Sequence, residues 1–242
     1  MGLQKFSLLF LSFSWFYQNS FSQVGDPKLT EVYQPIPVKV STIPIPSDAI
    51  SLFNGKDLQK WIGKDGKPAA WVVKNGTFTV KQGSGDIETT EKFGDQQLHL
   101  EFNVPTNIKG EGQDRGNSGV FIMGEYEVQI LDNYENKTYV NGQVGSVYKQ
   151  SIPLVNACKK AGEWQTYDII FRAPKFKADS SLESPAFITV LHNGVLIQNH
   201  YELKGKTVYI GQPYYTAHGD GPLKLQDHGH LVSFRNIWVR KL

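Results

Sequence analysis

The chain has 242 residues, of which 40% are hydrophobic and 20% charged, and its formal net charge is +2. The apolar share excludes an intrinsically disordered chain. The near-neutral charge leaves no electrostatic footprint for nucleic acid, so no nucleic-acid partner is expected.

In chain order, the first segment reads as a secretion signal over residues 1–22. Lys5 is its only charge, and an apolar run with interspersed serines extends from Phe6 to Tyr17. Ser20 and Ser22 are the small residues that a signal peptidase reads, so cleavage is expected before Gln23. A buried N-terminal strand is the competing reading. The run is too short and interrupted to span a membrane, and no cysteine near the cleavage point offers a lipid anchor. Residues 23–49 hold Pro27, Pro35, Pro37, Pro44 and Pro46, the composition of an extended leader. A single domain is expected over 50–242, in a secreted or periplasmic protein.

Strand signals dominate from Ile50 onward. Trp71–Val80 reads as a hairpin because Asn75-Gly76 suits a type I′ turn, and Ala186–Ile197 as another turning at Asn193-Gly194. Further strands are expected at 97–104, 118–123, 126–131, 164–172 and 231–240. The pair 118–123 and 126–131 is expected to turn at Gly124-Glu125. No amphipathic helix of ten residues and no fixed-period repeat stands out. About a dozen short strands between turn residues point to an all-β fold, a jelly-roll β-sandwich. The aromatics, 12% of the chain, belong mostly to its core, although Trp164 or Tyr148 at a groove edge can stack on a sugar ring.

The strand 126–131 carries the chemistry. Tyr126, Val128 and Ile130 point one way and Glu127 and Gln129 the other, with Glu125 in phase at the turn. Such a strand can line a polar groove over a β-core, or simply face solvent. Glu127 suits a general base or a substrate ligand. Gln129 stands where laminarinase-type glucanases carry an acid and can be neither nucleophile nor acid, which argues against a two-carboxylate glycosidase mechanism. Arg115 and Asn117 precede the hairpin, Arg115 as a stabiliser of negative charge or a partner of Asp114 or Glu101, Asn117 as a hydroxyl reader or turn former. His99 and Glu101 share a polar face on 97–104 and would flank Glu127 if that strand neighbours the hairpin; a solvated outer face is the alternative. Asp132, Tyr148 and Gln226 complete the expected substrate-binding set. His228 is of the residue type suited to a general acid or base. His228 and His230 lack a third ligand at metal spacing, so no metal and no other cofactor is expected. A turn that bonds its own backbone is the plain reading of Asp227-His228-Gly229. Cys158 is the only cysteine, which rules out an internal disulfide. Lys159 and Lys160 could lower its pKa, but a small surface or half-buried residue is expected rather than a catalytic thiol.

Several segments, Leu52–Leu58 with Trp61, Gly116–Phe121, Tyr126–Asp132, Trp164–Pro174, Leu225–Gly229 and Phe234–Ile237, are similar in order and spacing to the bacterial 3-keto-disaccharide hydrolase domain family. The resemblance covers roughly residues 50–242. It implies a concanavalin A-like lectin/glucanase jelly roll and an exported enzyme acting on an oligosaccharide or glycoside. It also implies a one-base route. A sugar oxidised at C3 has an acidic C2 proton; a base removes it, the glycosidic oxygen leaves from C1, and water adds back. Glu127 as base, with Arg115 and His228 as stabiliser and acid, fits that route. A non-catalytic, lectin-like carbohydrate-binding domain is the alternative.

Overall fold

A computed structural model describes residues 31, 32, 34–41 and 45–242. The signal expected at 1–22 and part of the leader expected at 23–49 lie outside the described residues. Two compact units are distinguished, residues 1–39 and 40–242, and the second holds every element below. Its first residues are tied to its own C-terminal strand, where Arg240 Nε lies 2.7 Å from Asp48 Oδ2. Among the described residues no helix is long and apolar enough to cross a membrane.

The fold is all-β. Its strands are β1 (Ile50–Ser51), β2 (Trp61–Gly63), β3 (Val72–Lys74), β4 (Thr77–Thr79), β5 (Ile87–Phe93), β6 (Gln96–Asn103), β7 (Ser118–Ile122), β8 (Tyr126–Ile130), β9 (Trp164–Arg172), β10 (Lys175–Phe176), β11 (Leu182–Ser184), β12 (Phe187–His192), β13 (Val195–Glu202), β14 (Gly221–Leu225) and β15 (Ser233–Lys241). One sheet runs β13-β12-β9-β6-β15-β4-β3, with β1 also on β15; the other runs β2-β5-β14-β7-β8; β10 and β11 form a small ribbon. The two large sheets make a concanavalin A-like jelly-roll sandwich. All their pairings are antiparallel, which allows one face of each sheet to pack while the other carries polar groups.

Alternation in sequence becomes alternation in burial. On β6, Leu98, Leu100 and Phe102 are fully buried while His99 and Glu101 face outward. On β9, Tyr167, Ile169 and Phe171 point into the same core. From the opposite sheet come Val120, Ile122, Tyr126, Val128, Ile130, Leu223 and Leu225. Tyr126 and Phe171 meet across the sandwich with ring centroids 5.5 Å apart. The hairpins turn where Asn75-Gly76 and Asn193-Gly194 take positive φ at both positions, as a type I′ turn requires.

The hairpin β7–β8 turns one residue earlier than the sequence indicates. Met123 and Gly124 take the positive φ values, 54° and 73°, and Glu125 N–H donates to Ile122 O at 3.1 Å. Glu125 is thus the last loop residue, off the face shared by Glu127 and Gln129.

Candidate active site

Strand β8 is an edge strand of the smaller sheet, yet all five of its residues are buried. Residues 144–148 cover its free edge. Gln129 N–H donates to Ser146 O, Gly145 N–H to Gln129 O and Tyr148 N–H to Glu127 O, at 3.0, 2.9 and 3.1 Å, and Val128 bridges to Val147. The alternation on β8 therefore marks a covered cleft rather than a solvated face. That cleft has a volume of about 550 Å³.

Its floor follows from strand register. Phe121 pairs with Glu127 and Gly119 with Gln129 across β7–β8, and Gln226 N–H donates to Gly119 O on the other side. Gly119 is required by space: a Cβ there would lie 2.6 Å from Glu127 Oε1 and 2.8 Å from Phe121 Cε2. The Glu127 carboxyl thus leans over a bare backbone position flanked by two glutamines. Only 5% of Glu127 is exposed, and no described side chain hydrogen-bonds to its carboxyl. Burial pushes its pKa up to about 8; the Lys224 ammonium draws it down and Asp86 pushes it up to lesser degrees.

A chain of amides fixes the wall beside it. Gln113 Nε2 donates to Thr138 Oγ1 and Gly142 O, both at 2.8 Å, so its Oε1 is the acceptor that receives Gln129 Nε2 at 3.0 Å. Gln129 Oε1 and Gln226 Oε1 are left buried without a partner, as two open acceptors. Asn117 Nδ2 donates to Gln113 O at 2.9 Å. On the other side, Thr207 Oγ1 accepts the Glu127 N–H at 3.0 Å. The phenols of Tyr139 and Tyr148 meet at 2.6 Å, and Lys149 Nζ sits 4.2 Å from the centroid of the Tyr209 ring.

Six of the residues singled out from sequence line this cleft: Glu127, Gln129, Asn117, Tyr148, Gln226 and His228. Four stand elsewhere. Arg115 Nε is paired with the buried Asp132 Oδ2 at 2.8 Å, and neither residue lines the cleft. His99 and Glu101 lie on β6 in the larger sheet, so they do not flank Glu127. There His99 Nδ1 meets Asp168 Oδ1 at 2.7 Å, and Glu101 accepts from Arg235 Nε and Asn236 Nδ2 at 2.6 and 2.9 Å. Trp164 is also away from the cleft, its ring 4.0 Å from Arg235 Cζ. Asp227 builds the turn that aims His228, accepting from Gly85 N–H and Gly229 N–H, both at 3.0 Å.

Sequence reasoning missed Gln113, Tyr139, Thr207 and Tyr209, all of them on irregular segments. Cys158 is half-buried, and burial pushes its thiol pKa up. No group of His, Cys, Asp or Glu among the described residues could hold a metal ion.

Comparison with known proteins gives the family. The model of the 3-keto-alpha-glucoside-1,2-lyase-like domain matches residues 48–240. The chain belongs to that family. A 3-keto-disaccharide hydrolase of Bacteroides thetaiotaomicron is 23% identical to it over 84% of the chain and 83% of the relative. The crystal structure of a candidate glycosyl hydrolase from Parabacteroides distasonis superimposes with a TM-score of 0.86 at 52% identity, covering 90% of this family member and 97% of that chain. A second candidate glycosyl hydrolase from the same organism shares the fold, at 20% identity and a TM-score of 0.58 over 81% and 94% of the two chains.

Proposed function

We propose that this protein is a glycoside-cleaving enzyme acting on 3-keto-glycosides, 3-keto-disaccharides among them, by elimination followed by hydration. The observation that carries this reading is the lone buried carboxyl of Glu127, poised near pH 8 over the floor of the cleft. The other carboxylate at the cleft, Asp114, has a side chain 84% exposed and lies 3.4 Å from His230 Nε2. One buried base is a poor match for double displacement, which needs two facing carboxyl groups. It suits proton abstraction next to a ketone.

The C3 ketone acidifies C2–H. Glu127 takes that proton, and the electron pair is held on the C3 oxygen as an enolate. Its return restores the ketone, forms C1=C2 and expels the glycosidic oxygen from C1. Water then adds at C1 and a proton returns to C2. His228, whose ring reaches the cleft from the 226–230 turn, is assigned to the charge on the C3 oxygen. Arg115, bound to Asp132, is not assigned to it. Gln129, Gln226 and Asn117 are assigned to substrate hydroxyls. Export is part of the same proposal, and a mature chain starting at Gln23 by mass spectrometry is its check.

Incubating the pure protein with 3-keto-disaccharides, with detection of free sugar and of the transient C1=C2 product, tests the reaction. Release of sugar by wild type and its loss in Glu127→Gln is the expected outcome. Equal turnover by Glu127→Gln sinks the assignment of the base, and glycan binding with no turnover by wild type sinks the enzymatic reading.

A further inference from the structure

The elimination needs a proton for the departing oxygen, and the register of the covering segment indicates its source. Val147 bridges antiparallel to Val128, so Tyr148 stands directly opposite Glu127. Directly opposed residues project from the same face, with Cβ atoms about 4.5–5.5 Å apart. The Tyr148 ring therefore rises beside the Glu127 carboxyl, and both line the cleft. Its hydroxyl meets that of Tyr139 at 2.6 Å. Two phenols sharing one hydrogen bond leave one O–H free. When Tyr139 donates, the Tyr148 O–H is free to donate into the cleft, and the same bond stabilises a Tyr148 phenolate. Burial is the largest cause that raises the Tyr148 pKa, so the phenol keeps its proton at working pH.

We propose that Tyr148, supported by Tyr139, is the general acid that protonates the leaving glycosidic oxygen. This rests on the reading of Glu127 as the base. As C1–O breaks and C1=C2 forms, the Tyr148 proton passes to the departing oxygen and leaves a phenolate held by Tyr139. In hydration, water gives its hydroxyl to C1 and its proton to that phenolate, while Glu127 returns its proton to C2. Both groups are reset, and the sum is hydrolysis. Tyr139 touches no reacting atom in this scheme and is a positioning residue.

The experiment uses 3-keto-glucosides with leaving groups from alkyl alcohols to nitrophenol, on wild type, Tyr148→Phe, Tyr139→Phe and Glu127→Gln. An alkoxide needs a proton to depart and a nitrophenolate does not. Tyr148→Phe is expected to lose roughly 100-fold in kcat on alkyl glycosides and only a few-fold on nitrophenyl glycosides. Tyr139→Phe is expected to show the same selectivity at smaller size. In deuterated water Tyr148→Phe should exchange C2–H of alkyl glycosides without cleaving them, because proton abstraction survives the loss of the acid. A loss by Tyr148→Phe that is equal for all leaving groups, or no loss, overturns the proposal. So does a Tyr148→Phe protein that neither cleaves nor exchanges. Exchange at C2 that persists in Glu127→Gln overturns the reading of the base instead, and leaves the leaving-group comparison to decide on Tyr148.

Discussion

At the scale of single residues, the position of the Glu127 proton sets how the protein responds to pH. The folded protein holds that proton to about pH 8, whereas a carboxyl with the ordinary value of 4.5 releases it far sooner. The active base accumulates as pH rises through 8, so kcat/KM is expected to climb between about pH 7 and 9 and then level off. Were Glu127 the acid rather than the base, activity would fall over the same range instead. Glu127→Gln should lose about 10²–10⁴-fold in kcat/KM and the rising limb with it. Stability runs the other way. The raised pKa contributes stability that is complete below about 4.5 and is lost as pH rises through 8, because the native state then holds a buried charge. Glu127→Gln should therefore melt higher than wild type at pH 9, by about 1–3 kcal/mol, with the difference shrinking toward pH 5. Gly119 has a steric role: its Cβ position falls 2.6 Å from Glu127 Oε1. Gly119→Ala should displace the carboxyl and cost about 100-fold in kcat/KM, while circular dichroism stays native.

At the scale of elements, the strands with clean alternation were legible and those without it were not. The span 164–172 is the same in sequence and structure because Tyr167, Ile169 and Phe171 repeat at period two. β5 carries only Ile87 and Phe93 as apolar ends around Glu-Thr-Thr-Glu-Lys, and β14 contains Pro222, where its pairing with β5 shifts register. Neither has a strand signature in the sequence, although β14 is the middle strand of the sheet that carries the cleft. The polar face of β8 was legible, but its cover was not. Residues 144–148 show no strand pattern and pair with β8 only because the sandwich brings them there. Gln113, Tyr139 and Thr207 are likewise supplied by loops, whose residues carry no periodic signal. Strand β6 gives the opposite lesson: its polar face was as legible as that of β8, yet it belongs to the other sheet, and single-strand alternation holds no information on sheet order. The Arg115–Asp132 pair shows what the approach to β7 does. Arg115 ties that approach to the residue two beyond β8, through the 2.8 Å ion pair and through Asp132 N–H donating to Arg115 O at 3.1 Å. Arg115→Ala removes the cation from a carboxylate whose side chain is 4% exposed and leaves it the Tyr134 N–H, at 3.3 Å, as a partner. It should cost about 1–3 kcal/mol in urea unfolding, reduced from a fully buried pair because the arginine is partly exposed. Its kcat/KM should stay within a few-fold of wild type; a loss of 100-fold or more would return Arg115 to the chemistry.

At the scale of the whole molecule, the larger sheet is the scaffold and the smaller one the working surface, and Tyr167 joins them. Its ring is fully buried on β9, and its hydroxyl crosses the sandwich to donate to Gln129 O at 2.7 Å. The same carbonyl accepts Gly145 N–H from the covering segment at 2.9 Å. One backbone oxygen on β8 thus holds the core from below and the cover from the side, between the positions of Glu127 and the amide chain. Burial pushes the Tyr167 hydroxyl pKa well up, so it remains a donor at every working pH. Tyr167→Phe keeps the ring and its packing while deleting this one bond. Because Gln129 O retains Gly145 as a partner, the loss should be about 1 kcal/mol rather than that of a stranded carbonyl. If the larger sheet positions the site through this bond, the variant should also lose several-fold in kcat, with KM less affected, since the base and its facing tyrosine sit on the two segments that the carbonyl ties together. Ile169→Val on the same strand provides the comparison. It should cost a similar 0.5–1.5 kcal/mol, roughly, by removing a core methylene. It leaves the Tyr167 bond in place, and kcat should follow wild type. Equal kcat in the two variants would mean that the larger sheet contributes only stability to the site.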